Sequence, residues 1–248
     1  MTTPTEAGET AYEFRPALTG EPGPMMLDLT DGSGQDTVDA AAVAAVAGVP
    51  DAQALWRAWW FGPDAGPERV FLIEADSDRA ASALLAVTGE DDARVESYLA
   101  GDTPPDHLRA ARGRSALLWS AEPAVAIQLA RVFDRADPVT GPMFDPEHPT
   151  MTGPDQPHLV LGYLNGGQVL LATTDRMTDI LDPARGAVVP MSYRTDGTWI
   201  WTDTVGYYLT TYGLSPDADL LAHIRAHDHT VPAVSAAAAH RALAVLFG

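Results

Sequence analysis

Between Tyr193 and Tyr212 the period of the apolar residues changes from two to 3.6, and no other feature limits the fold as much. Asp196-Gly197 is a strong hairpin signal, because a two-residue type I′ turn needs positive φ at both central positions. Such a turn sets Arg194 opposite Trp199, Tyr193 opposite Ile200 and Ser192 opposite Trp201. Side chains alternate along a strand, so Arg194, Trp199 and Trp201 are expected on one face. Beyond Trp201, residues Val205, Tyr208, Leu209 and Tyr212 form one stripe of a helix. Thr202 or Asp203 caps its start and Gly213 ends it. Ser215-Pro216 opens a second helix, with Asp217 and Asp219 in the first turn.

The same reading extends along the chain. His158 to Leu164 and Gln168 to Thr174 read as two strands joined by Asn165-Gly166-Gly167. Val188 to Tyr193 and Trp199 to Trp201 make a second hairpin, and a last helix spans Val234 to Phe247. Residues 158–248 are therefore expected to form an antiparallel sheet of two hairpins followed by three helices. The half before them, residues 25–136, reads as mixed. Strands are expected at Met25 to Leu29, Val70 to Ile73 and Ser115 to Trp119. Helices are expected from Asp36 or Thr37 to Ala47, over Leu55 to Phe61, and from Asp76 or Ser77 to Gly89. Three more are expected through Val95 to Leu99, from Pro104-Pro105 to Gly113 and from Pro123 to Phe133. The class is α+β. Residues 1–24 read as a loose arm, docked by Tyr12 and Phe14. Residues 137–157 hold six prolines and are the expected linker or loop between the halves.

Composition narrows the functional classes. The 248 residues carry a net charge of −19, and every cation is Arg. Residues 1–100 hold −13 of that charge and residues 101–248 the other −6. A field of this sign repels nucleic acid and anionic lipid and speeds encounter with a basic partner. Zero cysteine excludes disulfides, thiolate metal sites and thiol nucleophiles. No apolar run approaches the ~18–20 residues of a membrane span. The start, Met1-Thr2-Thr3-Pro4-Thr5-Glu6, lacks the regions of a signal peptide, so a cytoplasmic location is expected.

Candidate chemistry is sparse. His223 and His227 stand one helical turn apart, with His229 and Asp228 beside them, and this is the one metal-like cluster. It lacks the glutamate of the zinc-protease pattern, and histidines near a helix C-terminus also serve the helix dipole. Asp31 to Asp36 looks like a calcium loop but lacks the closing glutamate. No Walker A, G-x-G-x-x-G or G-x-S-x-G sequence occurs, so no cofactor is expected and no catalytic residue is assigned. Asp76/Asp78 and Asp91/Asp92 sit where helix-capping acids sit. The surface put forward for a partner is Arg194, Trp199, Trp201 and Tyr207, since aromatics with Arg anchor interfaces. The competing reading packs Trp199 and Trp201 under the helices as core.

The run Tyr193 to Trp201, followed by Tyr207-Tyr208-Leu209 and Leu220-Leu221-Ala222-His223-Ile224, resembles a segment of small uncharacterised actinobacterial proteins. Some of these are similar to immunity proteins of polymorphic toxin systems. The resemblance covers residues 158–225 and implies no catalytic residues. With the acidic charge, it leads to the expectation of a non-catalytic binding protein that neutralises or sequesters a basic protein, such as a toxin. The alternatives are an enzyme or small-molecule-binding protein with a site between the two halves, and a structural subunit of a larger assembly.

Overall fold

The computed structural model describes residues 13–18, 25–62, 66–88, 94–151 and 156–247. The chain divides into two compact units, residues 1–124 with 243–248 and residues 125–242. The fold is α+β. The division falls at Ala124–Val125, so the proline-rich stretch lies inside the second unit.

The first unit is built on one sheet. Its strands are β1 (Glu13–Arg15), β2 (Leu27–Asp28), β3 (Ala52–Phe61), β4 (Glu68–Ala75), β5 (Arg94–Tyr98) and β6 (Ala116–Ser120). The order is β2-β6-β3-β4-β5, with β1 paired to the last residues of β3 through Phe14 and Trp60. Strands β2 and β6 run parallel, as do β4 and β5, and β3 is antiparallel to β6 and β4. Helices α1 (Thr37–Ala47) and α2 (Arg79–Thr88) cover one face. There Ala42, Val46, Ala80 and Leu84 pack on Leu55, Phe71, Ile73 and Leu118. Asp36 caps α1, accepting from Val38 N at 3.0 Å and Asp39 N at 2.9 Å. Helix α3 (Asp106–Arg112) lies on the other face, where its Arg112 reaches Trp56 and Tyr98.

Two predicted helices of this unit are strands. Leu55, Trp56, Trp59 and Trp60 belong to β3, and Val95 and Tyr98 belong to β5. Strand β3 has sheet neighbours on both sides and packed layers on both faces, so residues 54–59 are all buried. A strand buried on both faces loses the polar alternation that marks it, and its apolar run then mimics a helix. The other strands and helices expected between Met25 and Trp119 occur near their predicted places. Of the N-terminal arm, Phe14 does dock, at 6% exposure, while Tyr12 lies outside the described residues.

The second unit contains β7 (Gln128–Leu129), β8 (Arg135–Asp137), β9 (Gly141–Met143), α4 (Gln156–Gly166), β10 (Gln168–Leu171) and β11 (Arg176–Thr178). They are followed by β12 (Ala187–Pro190), β13 (Tyr193–Thr195), β14 (Trp199–Thr202), α5 (Asp203–Tyr212), α6 (Ala218–Ala226) and α7 (Ala236–Phe247). Residues 236–242 of α7 count with this unit and the rest with the first. The main sheet has the order β10-β13-β14-β7, with β7 parallel to β14. Strands β8–β9 and β11–β12 form separate two-stranded ribbons, so part of the proline-rich stretch is a hairpin.

Three expectations fail in this unit. His158 to Leu164 is the helix α4 and not a strand, with Val160, Tyr163 and Leu164 buried at helical spacing. Residues 123–133 form no helix; Gln128–Leu129 is the strand β7 instead. Val188 to Pro190 pairs with β11 and not with β14. Helices α5, α6 and α7 follow the sheet as expected.

Candidate functional site

The β13–β14 turn does not have the predicted two-residue geometry. Arg194 stands opposite Trp201 and Thr195 opposite Ile200, a register two residues removed from that of a two-residue turn. Asp196 explains the difference. Its Oδ1 accepts from the backbone N–H of Thr198 and of Trp199, both at 2.8 Å, and from Thr198 Oγ1 at 2.9 Å. This side-chain turn needs positive φ only at Gly197, whose φ is 95°. The other carboxylate oxygen, Oδ2, accepts from Tyr163 Oη at 2.6 Å and from His223 Nε2 at 2.8 Å. Burial pushes the Asp196 carboxyl up, but the donors from Tyr163, Trp199 and Thr198 outweigh it and hold the group below its usual range. Burial and the neighbouring carboxylate push the Tyr163 phenol well above its usual range.

Trp199 and Trp201 belong to the core around this turn. They are 6% and 1% exposed, packed with Val160, Leu164, Val205, Leu209 and Ile224. Trp201 Nε1 donates to Leu164 O at 3.1 Å. Neither indole has surface to offer a partner, which corrects their assignment as anchors. Their alternation puts them on one face, as expected, and helices cover that face. Arg194 is held within the fold: Nε bonds Asp203 Oδ1 at 2.6 Å, and one terminal nitrogen donates to the carbonyls of Asn165 and Gly167 at 2.9 and 3.0 Å. Tyr207 is half-buried, and its hydroxyl donates to Asp179 Oδ2 at 2.8 Å. The same oxygen accepts from Tyr212 Oη at 2.5 Å, while Tyr208 Oη accepts from Ile180 N. The predicted surface patch is therefore dispersed, two members in the core and two in local bonding.

The histidines are brought together in part. His223 and His227 lie one turn apart on α6, with ring centres 4.2 Å apart. His223 Nε2 is directed at Asp196, and His227 Nδ1 bonds His223 O at 3.0 Å. His229 and Asp228 have positive φ, 58° and 48°, in the turn after α6. Among the described residues no group of three or more His, Asp or Glu is placed to hold a metal ion. An imidazole held by a buried carboxylate resembles a general base. Here the hydroxyl beside it, Thr198 Oγ1, is 3.4 Å from the nitrogen that Asp196 already holds, and it donates to Asp196 itself.

Two sets of charged residues escaped the sequence reading. Asp39 is fully buried between Arg57 and Arg69, bonding Arg57 Nη1 and, at 2.6 Å, Arg69 Nη1. A signal was present, since Arg57 is the one charged residue in the ten of β3. The second set lies where β4, β5 and β6 end and β3 begins. Asp51 precedes β3, Asp76 and Asp78 follow β4, Asp102 follows β5 and Glu122 follows β6. These ends are joined by bonds from Asp76 N to Asp51 O at 3.2 Å, Ala121 N to Gln53 O at 2.8 Å and Gly101 N to Glu74 Oε1 at 3.4 Å. Asp76, Asp78, Asp102 and Glu122 are exposed. Ser77 Oγ, and neither flanking aspartate, accepts from the first N–H of α2, Arg79 N. Burial pushes the Glu74 carboxyl behind this edge upward, and the charges of Glu122 and Asp76 add to the rise. Arg79 opens α2 beside these acids, and Arg112 of α3 draws the Glu74 carboxyl back down.

No family model, curated protein or solved structure matches the chain. Among the described residues no helix is long and apolar enough to cross a membrane.

Proposed function

We propose that the protein is a non-catalytic binding protein of the bacterial toxin-immunity type, which engages a basic protein partner. The observation that carries this reading is the acidic edge of the first unit, where Asp51, Asp76, Asp78, Asp102 and Glu122 come together at the strand ends. Like charges close together raise the local potential, steer a cationic surface and speed its encounter. Trp199 and Trp201 are buried, so recognition rests on charge at this edge. His223, His227 and Asp196 are bonded within the fold.

The test compares the full chain with a variant carrying Asp76→Asn, Asp78→Asn and Asp102→Asn, used as bait in lysate of the source cell. The expected result is one basic protein retained at physiological salt by the wild type and lost by the variant. Equal retention by both, or a retained protein that is not basic, overturns the reading.

A further inference from the structure

One face of the first unit's sheet carries α1 and α2, of eleven and ten residues. Among the described residues the other face carries α3 alone, with seven. At ~1.5 Å per residue α3 is about 10 Å long, against about 33 Å for the ten-residue β3. Beside α3, at the end of the sheet remote from the acidic edge, lies a cavity of about 640 Å³. Small-molecule sites run from ~300 to ~1,000 Å³.

Apolar groups and two aromatic rings line this cavity. Phe14 of β1, Val70 of β4, and Leu108 and Ala111 of α3 are at most 6% exposed. Trp60 stands opposite Phe14 in the β1–β3 register and adds its indole to the lining. Gly62 makes room for that ring, since a Cβ there would stand 3.0–3.4 Å from three of its atoms.

The charges at the mouth are already paired. Arg94 reaches Glu96 Oε1 through Nε and Nη2, both at 2.6 Å. Asp106 Oδ1 accepts from Arg109 Nη2 at 2.5 Å, one turn along α3. The described lining residues therefore offer neither a lone carboxylate nor a lone guanidinium. An ion that enters gives up water and meets no free counter-charge, which is costly, whereas an uncharged ring gains by leaving water.

We propose that this cavity binds an uncharged aromatic molecule of one or two rings, and that the paired charges at its mouth turn away ions of either sign. The ring packs against Phe14 and Trp60, where offset or edge-to-face contacts add to the burial of apolar surface.

The experiment uses the full chain with 3-propylindole, tryptamine and indole-3-acetate, which share a ring and differ chiefly in charge. Binding is read at pH 8 by titration calorimetry and by the methyl shifts of Val70 and Leu108. The uncharged 3-propylindole is expected to bind and to move both residues' methyl groups. Each ion should bind at least about tenfold more weakly, because it loses water without gaining a partner. Raising salt to about 1 M, where the screening length is about 3 Å, should not weaken 3-propylindole. Ala110→Trp, on the exposed side of α3 and lining the cavity, should lower 3-propylindole affinity at least about tenfold by filling its place. Arg94→Gln with Arg109→Gln frees both carboxylates. It should strengthen tryptamine about threefold, the scale of an exposed ion pair, and leave 3-propylindole unchanged. No 3-propylindole binding at millimolar concentration, or binding that leaves Val70 and Leu108 unmoved, overturns the proposal. So does either ion binding as tightly as 3-propylindole, or a tryptamine affinity that the double variant does not change. If Ala110→Trp unfolds, the double variant and the methyl shifts decide. Because the cavity and the acidic edge lie at opposite ends of the sheet, loss of ring binding and loss of the basic partner are separable results.

Discussion

His223 Nε2 lies 2.8 Å from Asp196 Oδ2, so a residue of α6 is tied to the turn between β13 and β14 by a half-buried, charge-assisted bond. Five donors converge on that carboxylate, two of them backbone N–H groups. Replacing Asp196 by Ala strips all five and leaves several without an acceptor. The expected loss is about 3–4 kcal/mol of unfolding free energy, from the cost of leaving buried partners of a charged group unsatisfied. Chemical denaturation measures it. A loss under about 1 kcal/mol would mean that the turn holds without its side chain.

Acid should act through the same carboxylate. Asp196 is depressed in the folded chain, so its stabilisation is complete above the unfolded carboxyl value near ~3.9 and is lost as pH falls through the folded value. Asp36 behaves alike, held down to about 2 by its bond to Arg69. The stability of both units should therefore fall between about pH 4 and pH 2. At the other extreme, burial pushes the Tyr98 phenol up to about 12, so its contribution is complete below about pH 10 and is lost as pH rises towards that value. Denaturation midpoints across pH, with Asp196→Asn as control, should show a flatter acid limb in the variant.

Asp39 faces two guanidiniums with no exposure of its own. Asp39→Ala leaves Arg57 and Arg69 buried without their shared partner, an expected cost of about 3–5 kcal/mol. Replacing all three by apolar residues of similar volume should restore most of that loss, because buried ion pairs contribute little net stability. Melting curves of the single and triple variants distinguish the cases. A single variant as stable as the wild type would show that water reaches the pair.

Gly167 permits a close approach. A Cβ there would lie 2.3 Å from Trp201 Cζ2 and 3.2 Å from Thr195 O. Gly167→Ala should cost about 1–3 kcal/mol by overpacking, and Trp201→Ala about 3–5 kcal/mol by leaving a cavity. The double variant should be more stable than the sum of the two predicts, since each change relieves the other. Additive losses would place the clash elsewhere.

Local signals were legible where one face of an element meets solvent or a cap marks its end. Asp36 announces α1, Pro105 announces α3, and the stripe of Val205, Tyr208 and Leu209 announces α5. Legibility failed at Leu55 to Trp60, because both faces of β3 are buried, and at Val160 to Leu164, because a short apolar run fits either period. The site readings failed for a related reason. Asp196-Gly197 marks a turn, but which atoms its carboxylate holds depends on Tyr163 and His223, distant in sequence. The cavity joins Phe14, Trp60, Arg94 and Asp106 from four separate elements, and no spacing along the chain relates them. Charge was legible as a total, and its concentration at one sheet edge required the strand order.

Strand β2 carries a consequence for how the protein is made. Its one strand neighbour among the described residues is β6, in the register Leu27–Ala116 and Asp28–Leu117. Gln35 Nε2, just beyond it, donates to the carbonyls of Leu29 and Leu118 at 2.7 and 2.9 Å. Chains emerge from the ribosome N-terminus first, at ~5–20 residues per second. The pairing of β2 thus waits on roughly ninety further residues, several seconds of synthesis at that rate. Until β6 arrives, the apolar flank of β3 that it will cover stays open. A pause or truncation before Ala116 therefore leaves a nascent chain with an unpaired, apolar strand edge, the kind of surface that chaperones bind and aggregates grow from.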